Sequence, residues 1–427
     1  MILATLLSAS NLKHSLLAIF LCWFFSPFTA QAQLQAGTAK IDITGPTGST
    51  MYGYGSRGKN LSTGTHDPLY ARALVLQNGE SKLAIVTLDL GAFYERNKKR
   101  VLAALPTDVK FDQVLLIASH SHSTPTNYDD FPSEADPWIK QVEKKIAQAI
   151  VEASQSMQAA SIGAGKGEVR EGFNRRIVKA NGDVFMLWRN IERLPTGPLD
   201  YELGVISIKG EEGPIATLVN FTCHPVVLGP DNLEYSADYP GAMARYVSGQ
   251  IGGEVMYLPG AQGDINPFED KQPVAEGGFE QVERLGTVIG QEVVRVSKRI
   301  LDFERNPVLK VRQEKIPLSK REDIWREEVA FQAEINSVML GDQIAFATFP
   351  GEFFVEHGQS LKSRSPIPYT FFVGYTNDAL FYFPTIQSTT EGGYGAAART
   401  QVEVGAGERL VNRALINLLY MAGKISP

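Results

Sequence analysis

Val114-Leu115-Leu116-Ile117-Ala118-Ser119-His120-Ser121-His122-Ser123 runs from an apolar segment into two closely spaced histidines. Its first half is an unbroken apolar run of strand length, the pattern of a strand covered on both faces. Downstream, Asp136 to Ser156 repeats apolar side chains at Ile139, Val142, Ile146 and Ile150, the period of a helix with one buried face. A buried strand followed by an amphipathic helix is α/β logic.

On the N-terminal side, Thr38 to Thr44, Leu69 to Leu76 and Lys82 to Leu88 read as strands, the last two joined through Asn78-Gly79, a hairpin signal. Arg96 to Leu105 reads as a helix. Further hairpins are expected at Leu203 to Ile208 with Ile215 to Phe221, and at Asn336 to Leu340 with Gln343 to Phe349. Helices are expected over Gly241 to Gly252, Phe279 to Ile300 and Glu408 to Met421. Mixed sheets sandwiched between helices, over 33–427 as one large domain or two closely packed lobes, is the architecture this order predicts.

The 427 residues are 44% hydrophobic and 21% charged, enough for a large core. A net charge of -6 with both signs interspersed offers no basic stripe for a phosphate backbone, which argues against nucleic acid as a partner. Residues 1–32 read as an export signal: Lys13 and His14 precede the apolar run Ser15 to Phe25, and Ala30-Gln31-Ala32 offers a cleavage site. The run is shorter than the ~20 residues that span a bilayer, and Pro27 breaks it. Bulky Leu21 before Cys22 argues against a lipoprotein. The expected product is secreted or periplasmic, beginning near Gln33, with Cys223 as its lone cysteine; a buried small apolar residue is the favoured reading of that thiol.

Chemistry concentrates where strands end. At strand spacing His120 and His122 point to one face, so both rings can converge on one point, or one can bind metal while the other serves a substrate. A second strand ends in Thr222-Cys223-His224-Pro225 and delivers a third histidine. Neutral imidazoles suit zinc, whose catalytic sites take three protein ligands and leave a position open. Glu352, after Phe349-Pro350-Gly351, reads equally as a further ligand or as the cap of a helix running to Leu361.

The order of motifs resembles the catalytic domain of the neutral, non-lysosomal ceramidases. It runs from Ala39-Lys40-Ile41-Asp42-Ile43-Thr44-Gly45-Pro46 through Tyr70-Ala71-Arg72-Ala73, His120-Ser121-His122-Ser123 and Asn174-Arg175 to His224. Ser236-Ala237-Asp238, Gly263-Asp264-Ile265-Asn266-Pro267, Pro350-Gly351-Glu352-Phe353 and an aromatic stretch at Tyr382 complete it. The resemblance implies one zinc ion per chain held by His120, His224, Glu352 and Tyr382. His122 then faces the substrate as proton carrier, and Tyr394, twelve residues beyond Tyr382, and Arg175 hold the oxyanion; Arg176 beside it leaves a one-residue ambiguity. Where the family carries a serine proposed as nucleophile this chain has Asn266, whose amide cannot take that role, so water must attack, with Asn266 as a hydrogen-bond donor. No long stretch resembles the family's second, immunoglobulin-like domain. The expected activity is hydrolysis of an N-acyl amide on a small-molecule or lipid substrate, with N-acyl-sphingoid lipids as the reference and peripheral membrane contact left open. Another amide, ester or lactone on the same metal site, or a binding protein without catalysis, are the alternatives.

Other signals are weaker. Gly53-Tyr54-Gly55-Ser56-Arg57-Gly58 matches a dinucleotide pattern without its strand and helix, and reads as a flexible loop bordering the cleft. Asp89 reads equally as support for a ligand histidine or as a strand-end cap. His66-Asp67 reads as a turn element more readily than as a metal pair and stays unassigned, and His357 reads as a surface or helix-packing residue.

Overall fold

A computed structural model describes residues 33–126, 137–321 and 331–426, so the expected export signal lies outside the described residues. The Asn78-Gly79 turn joins two antiparallel strands, β2 (Tyr70–Asn78) and β3 (Ser81–Leu88). β1 (Gln35–Asp42) pairs with β2 on one side, and β4 (Gln113–Ala118) lies parallel to β3 on the other. That parallel step needs a crossover, which α1 (Glu95–Ala104) supplies, and α2 (Pro137–Gln155) then covers the sheet.

Two more sheets repeat the device. The second, in order β8-β7-β6-β5, comprises β5 (Ser161–Glu168), β6 (Glu202–Lys209), β7 (Pro214–Phe221) and β8 (Glu254–Pro259). β7 and β8 are parallel, with α3 (Asp238–Ile251) between them and α4 (Gly278–Ser297) packed on α3. The third, β9-β10-β11-β12, holds β9 (Leu309–Leu318), β10 (Phe331–Leu340), β11 (Ile344–Thr348) and β12 (Tyr369–Val373). β11 and β12 are parallel through α5 (Val355–Arg364), and α6 (Ala406–Met421) packs against β10.

The side-chain period of two sorts the core. On β3, Leu83 and Ile85 face a central cluster shared with Leu218, Met256, Val338 and Phe346 of the other two sheets. The intervening Ala84, Val86 and Leu88 face Val142, Ile146 and Ile150 of α2. Likewise Val219 and Phe221 turn toward α3 and α4, and Ile335 and Met339 toward α6. Each sheet is thus covered by helices outside and by other sheets inside, the mixed α/β sandwich expected, and Gln33 to Pro427 forms one compact unit. No helix among the described residues is long and apolar enough to cross a membrane.

The expected ends shift by a few residues. One expectation fails outright: Glu352 opens no helix. It lies in a two-residue strand, Glu352–Phe353, and α5 starts beyond it with Phe354 as N-cap. The peptide before the helix is already committed to pairing with Tyr382–Phe383, so Glu352 is not a helix cap.

Candidate metal centre

In each sheet the strand after which the chain enters the site belongs to a parallel pair, and the three carboxyl ends meet. β4 ends at Ala118 and leads into His120, β7 ends at Phe221 and leads into His224, and β11 ends at Thr348 and leads into Glu352. Main-chain bonds stitch these ends together: Gly260 N donates to Phe221 O at 2.9 Å, Gly374 N to Pro259 O at 2.8 Å, and Ala118 N to Tyr375 O at 3.1 Å. Carboxyl ends of parallel strands are where α/β folds place ligands, because the chain leaves the sheet there with free loops.

His120 is 2% exposed and its Nδ1 donates to Gly91 O at 2.7 Å. His224 Nδ1 donates to Ile265 O at 3.1 Å. A carbonyl can only accept, so both rings carry their proton on Nδ1 and present a bare Nε2. Those two atoms face Glu352 Oε2, His120 at 3.6 Å and His224 at 3.3 Å. His122 Nε2 stands 3.2 Å from His120 Nε2. Burial, the largest cause for all three rings, holds them neutral: His120 is lowered to about 4, and His122 and His224 well below their ordinary value.

Lone pairs facing one another at these separations repel unless a cation joins them. A tetrahedral ion with ligands at about 2.0–2.1 Å sets those ligands about 3.3–3.4 Å apart, close to the separations of 3.2, 3.3 and 3.6 Å seen. The residues therefore fit a zinc-like ion, and the three histidines, whose candidate ligand nitrogens lie within 4.8 Å of one another, could hold a metal. Strand register sets Glu352 beside Tyr382. The Tyr382 hydroxyl hydrogen-bonds Glu352 and accepts from Arg175 Nη2 at 3.0 Å.

Arg175 is buried, donates to Gly263 O at 2.6 Å and to Asn266 Oδ1 at 3.3 Å, and stands 5.3 Å from the Tyr394 ring centre. Arg176 turns the other way, to Glu391 at 3.0 Å, so of the two arginines it is Arg175 that stands beside Tyr382. Asn266 lies behind Arg175, its amide donating to Asp270 Oδ2 at 2.6 Å. His120, His122, Glu352, Tyr382 and Tyr394 border an open cleft of about 350 Å³, whereas His224, Arg175 and Asn266 do not line it.

Asp89 does not support a histidine: its carboxylate pairs with Arg72 at 2.7 Å, and Gly91 O orients His120 instead. His66 stacks on Phe279, and Asp67 accepts from Ser236 and the Ala237 amide. Cys223 is buried, 0% exposed, with its thiol raised by burial, and is no ligand. His357 is buried in α5 against Phe353. Sequence reasoning misses Tyr375, whose ring stacks on His120 at 4.1 Å, and Tyr52, edge-on to His120 and His122; neither carries a spacing signal.

Fold and site together define an α/β protein with a candidate metal centre at converged strand ends. Residues 34–269 match the family described as neutral/alkaline non-lysosomal ceramidase, N-terminal, and the chain belongs to that family. Neutral ceramidase A of Dictyostelium discoideum is 28% identical over 262 residues, 55% of this chain and 36% of that protein, so the match spans about a third of that relative's length. Among solved structures, neutral ceramidase from Pseudomonas aeruginosa superposes with a TM-score of 0.76 at 16% identity, covering 93% of this chain and 75% of that one. A ceramidase complexed with C2 gives 0.77 at 17% identity, over 92% and 76%. These two share the fold across β9 to β12 as well, beyond the stretch matched to the family.

Proposed function

We propose that the chain is a zinc-dependent, ceramidase-like hydrolase of an N-acyl amide, with one ion per chain held by His120, His224, Glu352 and Tyr382. The observation that carries this reading is the pair of bare imidazole nitrogens turned on Glu352 at 3.3 and 3.6 Å. Zinc bound there supplies Lewis acidity, polarising an acyl carbonyl and making water nucleophilic near neutral pH.

The chain's own groups do the rest. Tyr394, at the cleft wall, donates to the acyl oxygen as charge develops on it, and Arg175 behind it lends positive charge and holds Tyr382. His122, beside His120 and facing the cleft, would take the proton that the attacking water gives up and pass it to the leaving amine as the C–N bond breaks. Asn266 cannot act as a nucleophile and braces Arg175, consistent with attack by water. The substrate is an N-acyl lipid or small molecule, met outside the cytoplasm if residues 1–32 act as an export signal.

The same chemistry leaves a second substrate reading, another N-acyl amide: six tyrosines, Met51 and Phe381 line the cleft with Thr50, Asn60 and Arg399, apolar faces with polar groups set among them. Purified protein is expected to contain one equivalent of zinc, to lose turnover on chelation and to regain it with zinc. Ceramides of several chain lengths beside simple N-acyl amino acids separate the substrate readings. A His120→Ala variant with normal zinc content and turnover would falsify the ligand assignment.

A further inference from the structure

Two of the three imidazoles are oriented by a carbonyl at Nδ1, but His122 is not. Its Nδ1 is buried and has no hydrogen-bond partner among the described residues. A proton carrier must nevertheless point one way, so something else holds this ring. The glycine loop does. Gly53 has a φ of 98°, a backbone open to glycine, and a side chain there would start 2.3 Å from His122 Cγ, so its main chain lies directly on the imidazole. Tyr54 and Tyr52 stand edge-on to the same ring, at 4.9 and 5.7 Å between centres.

One side chain fastens this box. Arg57, 4% exposed, donates through Nη1 to both Tyr52 O at 2.6 Å and His122 O at 2.8 Å. Its Nε donates to Asn232 O at 3.1 Å and its Nη2 to Gly229 O at 3.5 Å. The same nitrogen thus ties the loop that cradles the ring to the histidine's own main chain, and the rest of the fork anchors both to the 229–232 turn. We propose that Arg57 is the positioning residue for His122, replacing through the main chain the hydrogen bond that the other two histidines donate from Nδ1. The proposal rests on the hydrolase reading above for its kinetic consequence, but not for its geometry. A guanidinium is required because four carbonyls in different directions need a planar fork of donors, which an ammonium cannot offer.

The test compares zinc-loaded wild type with Arg57→Gln and Arg57→Lys. Loss of an orienting group behind a reacting one is expected to lower kcat by about 10–100-fold with KM held within about twofold. Zinc content and cooperative melting stay as in wild type, lysine fails to restore the rate, and added guanidinium restores part of it in Arg57→Gln. Loss only in proportion to missing zinc or folded protein, a change confined to KM, or full activity with lysine overturns the proposal. Crystal structures of zinc-loaded Arg57→Gln give a readout free of turnover: the His122 ring is expected rotated or split between positions, and a ring unmoved from wild type overturns the assignment. If wild type cleaves no N-acyl substrate, the hydrolase reading fails while this structural comparison still decides the role of Arg57.

Discussion

His120 holds a φ of 70°, and Tyr375, Asn377 and Phe381 nearby hold 47°, 63° and 57°. Side chains other than glycine adopt this left-handed backbone at a cost, and its clustering beside the centre marks conformations fixed by their surroundings rather than chosen locally. Asp238 shares the feature, at 56°, and adds a titration. Burial, the first cause, raises its carboxyl to about 7 although the Tyr239 and Leu228 amides donate to it. Below about pH 4 both folded and unfolded chains hold this proton, so Asp238 costs nothing. As pH rises the unfolded chain ionises first and stability falls, until the cost levels off above about 7. Asp238→Asn keeps the shape and the left-handed tolerance while removing the titration. Its melting temperature relative to wild type is therefore expected to climb between pH 4 and pH 8. A difference that stays flat across that range refutes the assignment.

Between elements, the first and third sheets are joined by a buried polar knot one step behind the site. Lys98 of α1 meets Glu334 of β10 at 2.7 Å, and Asn377 donates to the same carboxylate at 2.6 Å while accepting from Leu116 N of β4 at 2.9 Å. Burial would raise Glu334, but Lys98, Asn336 and Asn377 together hold it below its usual range. Glu334→Gln leaves the ammonium without its counter-charge, and breaking a buried pair in this way costs about 3–5 kcal/mol. Urea unfolding is the measurement; a midpoint within error of wild type shows the pair to be dispensable. The sequence displays β4 plainly as an unbroken apolar run, whereas α1 buries Asn97, Lys98 and Val101 and shows no apolar stripe, and nothing in the sequence pairs Lys98 with Glu334. β5 is hidden for a different reason: Gly163, Gly165 and Gly167 replace the alternating apolar side chains so that α4 can approach, with Val296 2.8 Å from where a side chain on Gly165 would begin. β9 alternates charged residues along an edge, so no apolar run marks it as a strand. The histidines stand out because they are scarce and follow apolar strands. Glu352 stays ambiguous in the sequence, because only its long-range pairing with Tyr382 removes the cap reading.

For the whole molecule, the central cluster draws on all three sheets, and so does the candidate metal centre. A ligand that bridges His120, His224 and Glu352 therefore ties together the same three bodies that the core holds, and its binding energy adds to the stability of all of them at once. An ion present at a thousandfold over its dissociation constant contributes about 4 kcal/mol when it binds only the folded chain. Chelated protein is thus expected to melt several degrees lower than zinc-loaded protein, still in one transition because no sheet can lose its inner face alone. Calorimetry of the two forms decides the matter. A midpoint indifferent to zinc removes the ion from the three strand ends, and a split transition in the chelated form shows that the sheets unfold separately, so that the metal and not the shared core joins them.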